Sequence, residues 1–194
     1  MKRILVLFAH PRLRRSRIQR ALADAVRGVE GVTFHDLYEA YPDFHIDVER
    51  EQDLLTEHDV IVCQHPFYWY STPPILKQWE DLVLEHGWAY GHNGTALRSK
   101  WWMHVMSTGG SAEAYCSEGQ NRYTVRQLLA PLEQTAMLCG MVFLPPLVVH
   151  SSFRVTDAEL HGHAQRYRSF LESLRDGRIE ARKLLSTGTL NLEL

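Results

Sequence analysis

DVIVCQHPFYWYSTPPILKQW, residues Asp59–Trp79, decides how the rest of the chain is read. Val60-Ile61-Val62-Cys63 is a short unbroken apolar run, the mark of a strand buried on both faces of a parallel sheet. The run gives way to His65-Pro66-Phe67-Tyr68-Trp69-Tyr70, whose four consecutive aromatics fit neither a strand face nor a helix stripe. Pro73 and Pro74 then open a segment with apolar residues at helical spacing: Ile75, Leu76, Trp79, Leu82 and Val83. Proline is tolerated in a first helical turn because its missing N–H has no partner there anyway. The unit reads strand, aromatic loop, helix. Open α/β sheets bind ligands beyond the carboxyl ends of their strands. An aromatic, proline-stiffened loop at that place suits a flat, mostly apolar ligand with a polar edge.

Upstream of this unit, residues 3–8 (RILVLF) read as a strand ended by His10-Pro11. A helix starts near Ser16, a good N-cap, carries Ile18, Leu22, Ala25, Val26 and Val29, and ends at Gly28 and Gly31. Val32–His35 is a second strand, 36–48 a polar and aromatic connection, and 49–57 a short amphipathic helix. Downstream, the Pro73–Glu85 helix is followed by Gly87–Lys100, a long irregular loop of the kind that is usually functional. Trp101–Met106 is a fourth strand, ended by Ser107-Thr108-Gly109-Gly110. After a second irregular stretch, Val125–Leu138 has helical periodicity. Met141–Leu144 and Leu147–Val149 bracket Pro145-Pro146 and hold the fifth strand. Thr156 caps a last helix, with Asp157 and Glu159 in its first turn. Residues 1–174 form one domain; 175–194 are a tail, either a loose end or an arm on a partner subunit. Strand and helix alternate without repeat or linker, which predicts one doubly wound parallel sheet with helices on both faces. The order expected is the flavodoxin-like, five-stranded 2-1-3-4-5, with a ligand at the switch between the first and third strands.

Composition narrows the function. The 194 residues suit one domain, and 45% hydrophobic with 23% charged content is the balance of a soluble globular protein. A net charge of −2 creates no field that favours nucleic acid or an anionic membrane. No apolar run approaches the roughly 20 residues that span a bilayer, so no membrane insertion is expected. The opening MKRILVLFAHP has basic residues before an apolar stretch of only Ile4–Ala9, with no cleavage site, which argues against a signal peptide. Cys63, Cys116 and Cys139 lie far apart, as reduced thiols of the cytoplasm do. The eleven histidines show no metal spacing, and His161 and His163, two apart on a helix, point in different directions, so no metal is expected.

In the 2-1-3-4-5 order three loops meet at one edge. His10–Gln19 runs into a helix N-terminus, a place for anions, where Ser16 adds a hydroxyl and Arg12, Arg14, Arg15 and Arg17 add charge. It has neither the Walker pattern nor the dinucleotide glycine fingerprint. The second loop is His65–Tyr70. The third, Ser107–Gly110, has two glycines that let backbone approach a ligand closely. A phosphate site, an aromatic platform and a close-backbone loop together match a flavin mononucleotide.

At these residues the chain resembles a known family. AHP followed by Ser16, then YPDFHID, QHPFYWYSTPPILKQW, HGWAYGHNGTAL, STGG and LPP are similar to the NAD(P)H:quinone oxidoreductases of flavodoxin-like fold. The strongest likeness is to the ancillary proteins of the Kef glutathione-gated potassium-efflux systems; DT-diaphorase is more distant. The resemblance runs from about residue 3 to about residue 174 and leaves the last twenty residues uncovered. It implies FMN, with FAD the second choice, a homodimer, NAD(P)H as co-substrate and a quinone as acceptor. It also implies a cytoplasmic protein, held at the inner face of the membrane where an antiporter partner engages it. By the resemblance, His10, Ser16, Arg17, Ile18 and Gln19 hold the phosphate and ribityl end. Pro66 lies in the loop whose Phe67, Tyr68, Trp69 and Tyr70 run along the ring, and Ser107, Thr108, Gly109 and Gly110 bond its pyrimidine edge. Trp88 and Tyr90 close the pocket over the partner's flavin, and Tyr115 stabilises the reduced flavin. Two departures stand out. Relatives carry Asn where this chain has Gln19, and the catalytic histidine of the diaphorase branch falls on Asn121. Asn121-Arg122-Tyr123 resembles one of the Kef-type subfamilies instead, and Arg122, turned inward, would supply the missing charge beside Tyr115.

The resulting expectation is a ping-pong enzyme: NAD(P)H gives hydride to flavin N5 and leaves, and a quinone takes its place. The rival is a regulatory subunit on the cytoplasmic side of a potassium–proton antiporter, its flavin structural or redox-sensing. A flavodoxin-like electron carrier fits less well, because it leaves the HGWAYG loop without a role.

Overall fold

Ile4–Phe8 (β1) is buried at every residue, because the strand lies mid-sheet with helices on both sides. Its alternate side chains feed two separate cores, as the period of two along a strand requires. Leu5 and Leu7 face one core with Ile61, Cys63, Trp102 and Met106; Ile4 and Val6 face the other with Val60, Val62, Met103 and Val105. The computed structural model describes residues 1–185 and 189–190, with 181 and 182 as backbone only.

The strands are β1, Val32–Asp36 (β2), Val60–Pro66 (β3), Trp101–Ser107 (β4), Val142–Phe143 (β5) and Leu147–Val149 (β6). All are parallel, in the order β2-β1-β3-β4-β5, with β6 also on β4. The expected sheet order is the one observed. The fifth strand is cut in two: Leu144 N–H still donates to Trp102 O, but Pro145 and Pro146 cannot donate to the ladder, and pairing resumes at Leu147. β3 runs further than its apolar run, to Pro66, which pairs with Ser107, so the aromatic loop begins at Phe67. A proline at the last residue of a strand costs no central ladder bond.

Arg17–Val26 (α1) and Asp157–Arg175 (α7) cover one face. The other is covered by Leu37–Ala40 (α2), Val48–Glu57 (α3), Pro74–Val83 (α4), Val125–Leu128 (α5) and Ala130–Leu138 (α6). Two differences from the sequence reading concern helices. The 36–48 connection contains α2, because Asp36 accepts hydrogen bonds from the N–H groups of Tyr38 and Glu39. The single helix expected over 125–138 is two, broken at Leu129, with a proline in the first turn of α6.

The YPDFHID stretch is structural. Glu51 of α3 is fully buried and accepts from Tyr41 Oη at 2.6 Å, His35 Nε2 at 2.7 Å and Trp79 Nε1 at 2.8 Å. Burial pushes its carboxyl up, and these donors more than offset that, leaving it below its ordinary range. Asp47 caps α3. The tail begins by returning to the sheet: Lys2 N–H donates to Arg175 O, a short helix Ala181–Leu184 (α8) follows, and Leu190 bridges Leu147. Residues 186–188 and 191–194 of the expected tail lie outside the described residues.

Candidate functional site

β1, β3 and β4 end at one edge, and their loops enclose a cavity of about 610 Å³. Its walls come from the start of α1, from Pro66, Phe67 and Tyr68, and from Ser107 and Gly109. The three loops expected to meet therefore do meet.

Gln19 holds them together. Its side chain is fully buried, and its Nε2 donates to His65 O at 2.8 Å and Ser107 Oγ at 3.0 Å. Its Oε1 accepts from Gln64 Nε2 at 3.2 Å. A side chain expected to face a ligand is thus spent on tying α1 to β3 and β4. Arg17 is also committed: its guanidinium donates to Val155 O and pairs with Asp157 at 2.6 Å, fastening α1 to the start of α7. Ser16 caps α1 by accepting from Gln19 N–H, which leaves the N–H groups of Arg17 and Ile18 at the open helix end. His10 is buried and kept neutral by that burial. Its Nδ1 accepts from Arg12 N–H at 3.0 Å, so the proton sits on Nε2, a donor.

The aromatic loop is a tight turn. Ser71 N–H donates to Tyr68 O, and Trp69 and Tyr70 have φ of 49° and 64°. Two consecutive left-handed residues are the pattern of a type I′ turn, normally given to Asn and Gly. Placing Trp and Tyr there costs about 1–3 kcal/mol each, which a purely structural turn has no reason to carry. The turn lifts Trp69 to 93% exposure at its tip, while Phe67 is buried and Tyr68 and Tyr70 are half exposed.

The 107–110 loop is anchored by its own side chains. Thr108 Oγ1 donates to Gly110 O at 2.9 Å and Ser107 O accepts from Phe67 N–H. Among the described residues the N–H groups of Gly109 and Gly110 have no partner. The glycines also let rings close in: a Cβ at Gly109 would stand 3.2 Å from Phe153, and one at Gly110 3.2 Å from Tyr115.

A smaller cavity of about 290 Å³ opens beyond, lined by Phe67, Trp69, Tyr70, Gly110, Tyr115 and Asn121 among others. Burial raises the Tyr115 phenol, so it remains a donor at neutral pH. Asn121 Oδ1 accepts from Tyr70 Oη at 3.1 Å. The inward-turned Arg122 is a correction: it is exposed, with φ of 60°, and lines neither cavity. Trp88 and Tyr90 also line neither cavity; half-buried, they pack on the core behind α4.

Ser152 and Phe153, after β6, complete the larger cavity, and sequence reading missed them. Their signal was available: a loop at the carboxyl end of a parallel strand. Behind the site, His65 Nδ1 donates to Pro66 O, and His65 Nε2 meets His104 Nδ1 at 3.0 Å. Burial holds His65 down to about 4 and His104 well below its usual value, so both are neutral, structural imidazoles.

A family model described as "Flavodoxin-like fold" matches residues 2–171. The chain is 45% identical over 171 residues to "Glutathione-regulated potassium-efflux system ancillary protein KefG" of Pectobacterium carotovorum, covering 88% of this chain and 93% of that one. It superposes with a TM-score of 0.85 and 38% identity on the general stress protein 14 of Treponema denticola in complex with FMN, over 89% and 99% of the two chains. A structure from P. pentosaceus described as an NADPH-quinone reductase matches with a TM-score of 0.79 and 33% identity, over 87% and 96%.

Proposed function

Because the chain belongs to the flavodoxin-like family Flavodoxin_2, we propose that it binds FMN and reduces quinones with NAD(P)H. One observation carries this reading: a cavity of about 610 Å³ that joins an open helix N-terminus, an aromatic wall and a loop with two unpartnered N–H groups. That donor set fits FMN part by part. The N–H groups of Arg17 and Ile18, the Ser16 hydroxyl and His10 Nε2 would hold a phosphate and the ribityl end. Phe67, Tyr68 and Trp69 would flank a ring, and the N–H groups of Gly109 and Gly110 would bond its polar edge. FAD is the second choice.

FMN, when bound, supplies the two-electron chemistry between the nicotinamide and the quinone. The chain's own work is positioning and electrostatics. Tyr115, neutral and aimed into the smaller cavity, donates toward charge that builds there. Asn121 orients Tyr70 and offers its amide N–H beside Gly110. Trp69 and Tyr70 leave room for one flat partner at a time, which enforces alternation. Exposed Trp69 and Phe153, together with the Trp88–Tyr90 loop, support a twofold homodimer in which each chain closes its partner's site.

The likeness to KefG favours a second role, as an ancillary subunit of a potassium-efflux antiporter. Among the described residues no helix is long and apolar enough to cross a membrane, so such a subunit would act from the membrane surface. Purified protein tests the first reading. It should be yellow, release FMN and reduce a benzoquinone rapidly with NAD(P)H. Protein that stays colourless after incubation with excess FMN and FAD would sink it. A flavin-loaded protein without quinone turnover that nonetheless raises efflux through a co-expressed antiporter would leave the second role alone.

A further inference from the structure

Beside the flavin cavity lies a second groove of about 620 Å³, beyond the carboxyl ends of β1 and β2. Five arginines line it: Arg12, Arg14, Arg15, Arg20 and Arg27. None of the five makes an ion pair within 4.0 Å among the described residues. Arg17, on the neighbouring turn, is by contrast paired with Asp157. Three carboxylates share the lining, and they do not cancel the charge: five minus three leaves +2 in a chain of net −2. Like charges gathered without partners cost energy, and a bound anion relieves it.

The groove has order as well as charge. Arg20 and Asp24 lie four apart on α1, and Arg27 follows as its C-cap. Arg27 is held in place, its guanidinium 4.5 Å over the Phe34 ring, which in turn packs 5.3 Å from Phe8. NADPH differs from NADH by a phosphate on the adenosine 2′-oxygen, a group that the fork of an arginine fits. In other α/β folds a carboxylate accepts the 2′-hydroxyl of NADH and an arginine accepts the 2′-phosphate of NADPH. Asp36 ends β2 here, with one carboxylate oxygen occupied by the N–H groups of Tyr38 and Glu39. The Arg27 guanidinium acts on the same carboxyl. The groove shares His10, Arg12 and Arg15 with the flavin cavity, so a ligand in one lies alongside a ligand in the other.

We propose that this groove takes the 2′-phosphate end of NADPH, so that the chain uses NADPH in preference to NADH. The inference rests on the flavin-reductase reading. Arg14, Arg20 and Arg27 stand outside the flavin cavity's lining, which separates the two sites experimentally.

The test is calorimetric titration of the FMN-loaded protein with adenosine 2′,5′-bisphosphate, and with 5′-ADP at the same ionic strength. The bisphosphate should bind at least tenfold more tightly. The Arg20→Ala/Arg27→Ala variant should lose at least tenfold of that affinity, and the Lys/Lys variant should keep part of it. The ratio of kcat/KM for NADPH over NADH should fall tenfold or more in the Ala/Ala variant. Equal affinity for the two nucleotides in the wild type, or a ratio unchanged in the variant, overturns the proposal. So does an outcome in which the variant weakens FAD but not the bisphosphate, which would give the groove to a flavin's adenosine half. If the double variant does not fold, the wild-type comparison still decides, since it needs no variant. Binding of the bisphosphate needs no turnover, so a protein that holds it but reduces no quinone fails the reductase reading alone.

Discussion

Gln19→Ala should damage both stability and flavin binding, because one buried amide holds three loops in register. The substitution removes the donor to His65 O and the donor to Ser107 Oγ, while Gln64 Nε2 keeps only the Gln19 carbonyl, at 3.2 Å. Each buried bond lost costs about 1 kcal/mol, more where a partner is left unsatisfied. The space left by a fully buried side chain adds to that. The sum is roughly 2–4 kcal/mol, and at about 2–4 °C per kcal/mol for a domain of this size the melting temperature falls by roughly 5–15 °C. Gln19→Glu keeps the shape but sets a buried carboxylate oxygen against the His65 carbonyl, while the Ser107 hydroxyl can turn to donate, so it should also be costly at neutral pH. Thermal melts of flavin-free protein measure the first effect. A fluorescence titration with FMN, run well below the melt, measures the second, where affinity should drop about tenfold as the loops lose their spacing. Loss of less than 1 kcal/mol with wild-type FMN affinity would show that the loops are held by something else.

Three other outcomes are expected. Trp69→Gly should cost no stability, since glycine relieves a left-handed φ, yet weaken flavin binding by roughly 1–3 kcal/mol; a loss of stability with unchanged binding would make the turn merely structural. Tyr115→Phe should slow flavin reduction in stopped flow about tenfold, near the worth of one hydrogen bond, and Asn121→Ala should slow it more than Arg122→Ala; the reverse order would return Arg122 to the site. Glu80 is buried, its Oε1 has no partner among the described residues, and burial pushes its carboxyl up to about 8. The folded state therefore holds a proton that the unfolded state releases, so this group costs stability progressively from about pH 4.5 to 8 and levels off above. Glu80→Gln should remove that slope and be more stable than wild type at pH 8 by a few kcal/mol; parallel denaturation curves against pH would contradict the assignment.

The sheet was legible because its signal is local and periodic: Ile4–Phe8 and Val60–Cys63 are apolar at every position, as strands covered on both faces must be. The meeting of the three loops followed from topology alone. What each side chain does there did not, because it depends on partners far away in sequence. Gln19 meets Ser107 across 88 positions and Arg17 meets Asp157 across 140. Arg122 and Asn121 are adjacent in sequence, yet Asn121 lines the smaller cavity and Arg122 does not, a difference that residue type alone does not reveal. The arginine groove escaped notice because Arg14 and Arg15 read as part of one phosphate loop, and nothing in the sequence ties Arg20 and Arg27 to them.

The proline break in the fifth strand position has a consequence for the solubility of the protein. β5 and β6 form the outer border of the sheet beyond β4, two residues and three residues long, with Pro145-Pro146 interrupting the ladder between them. An unbroken strand there would offer a row of free N–H and C=O groups to any other chain in extended form. Here the row is interrupted before it can pair with more than a few residues, and Leu190 already takes Pro146 O at the interruption. On that side, the sheet is protected from growing by recruiting foreign strands, the route by which open parallel sheets aggregate.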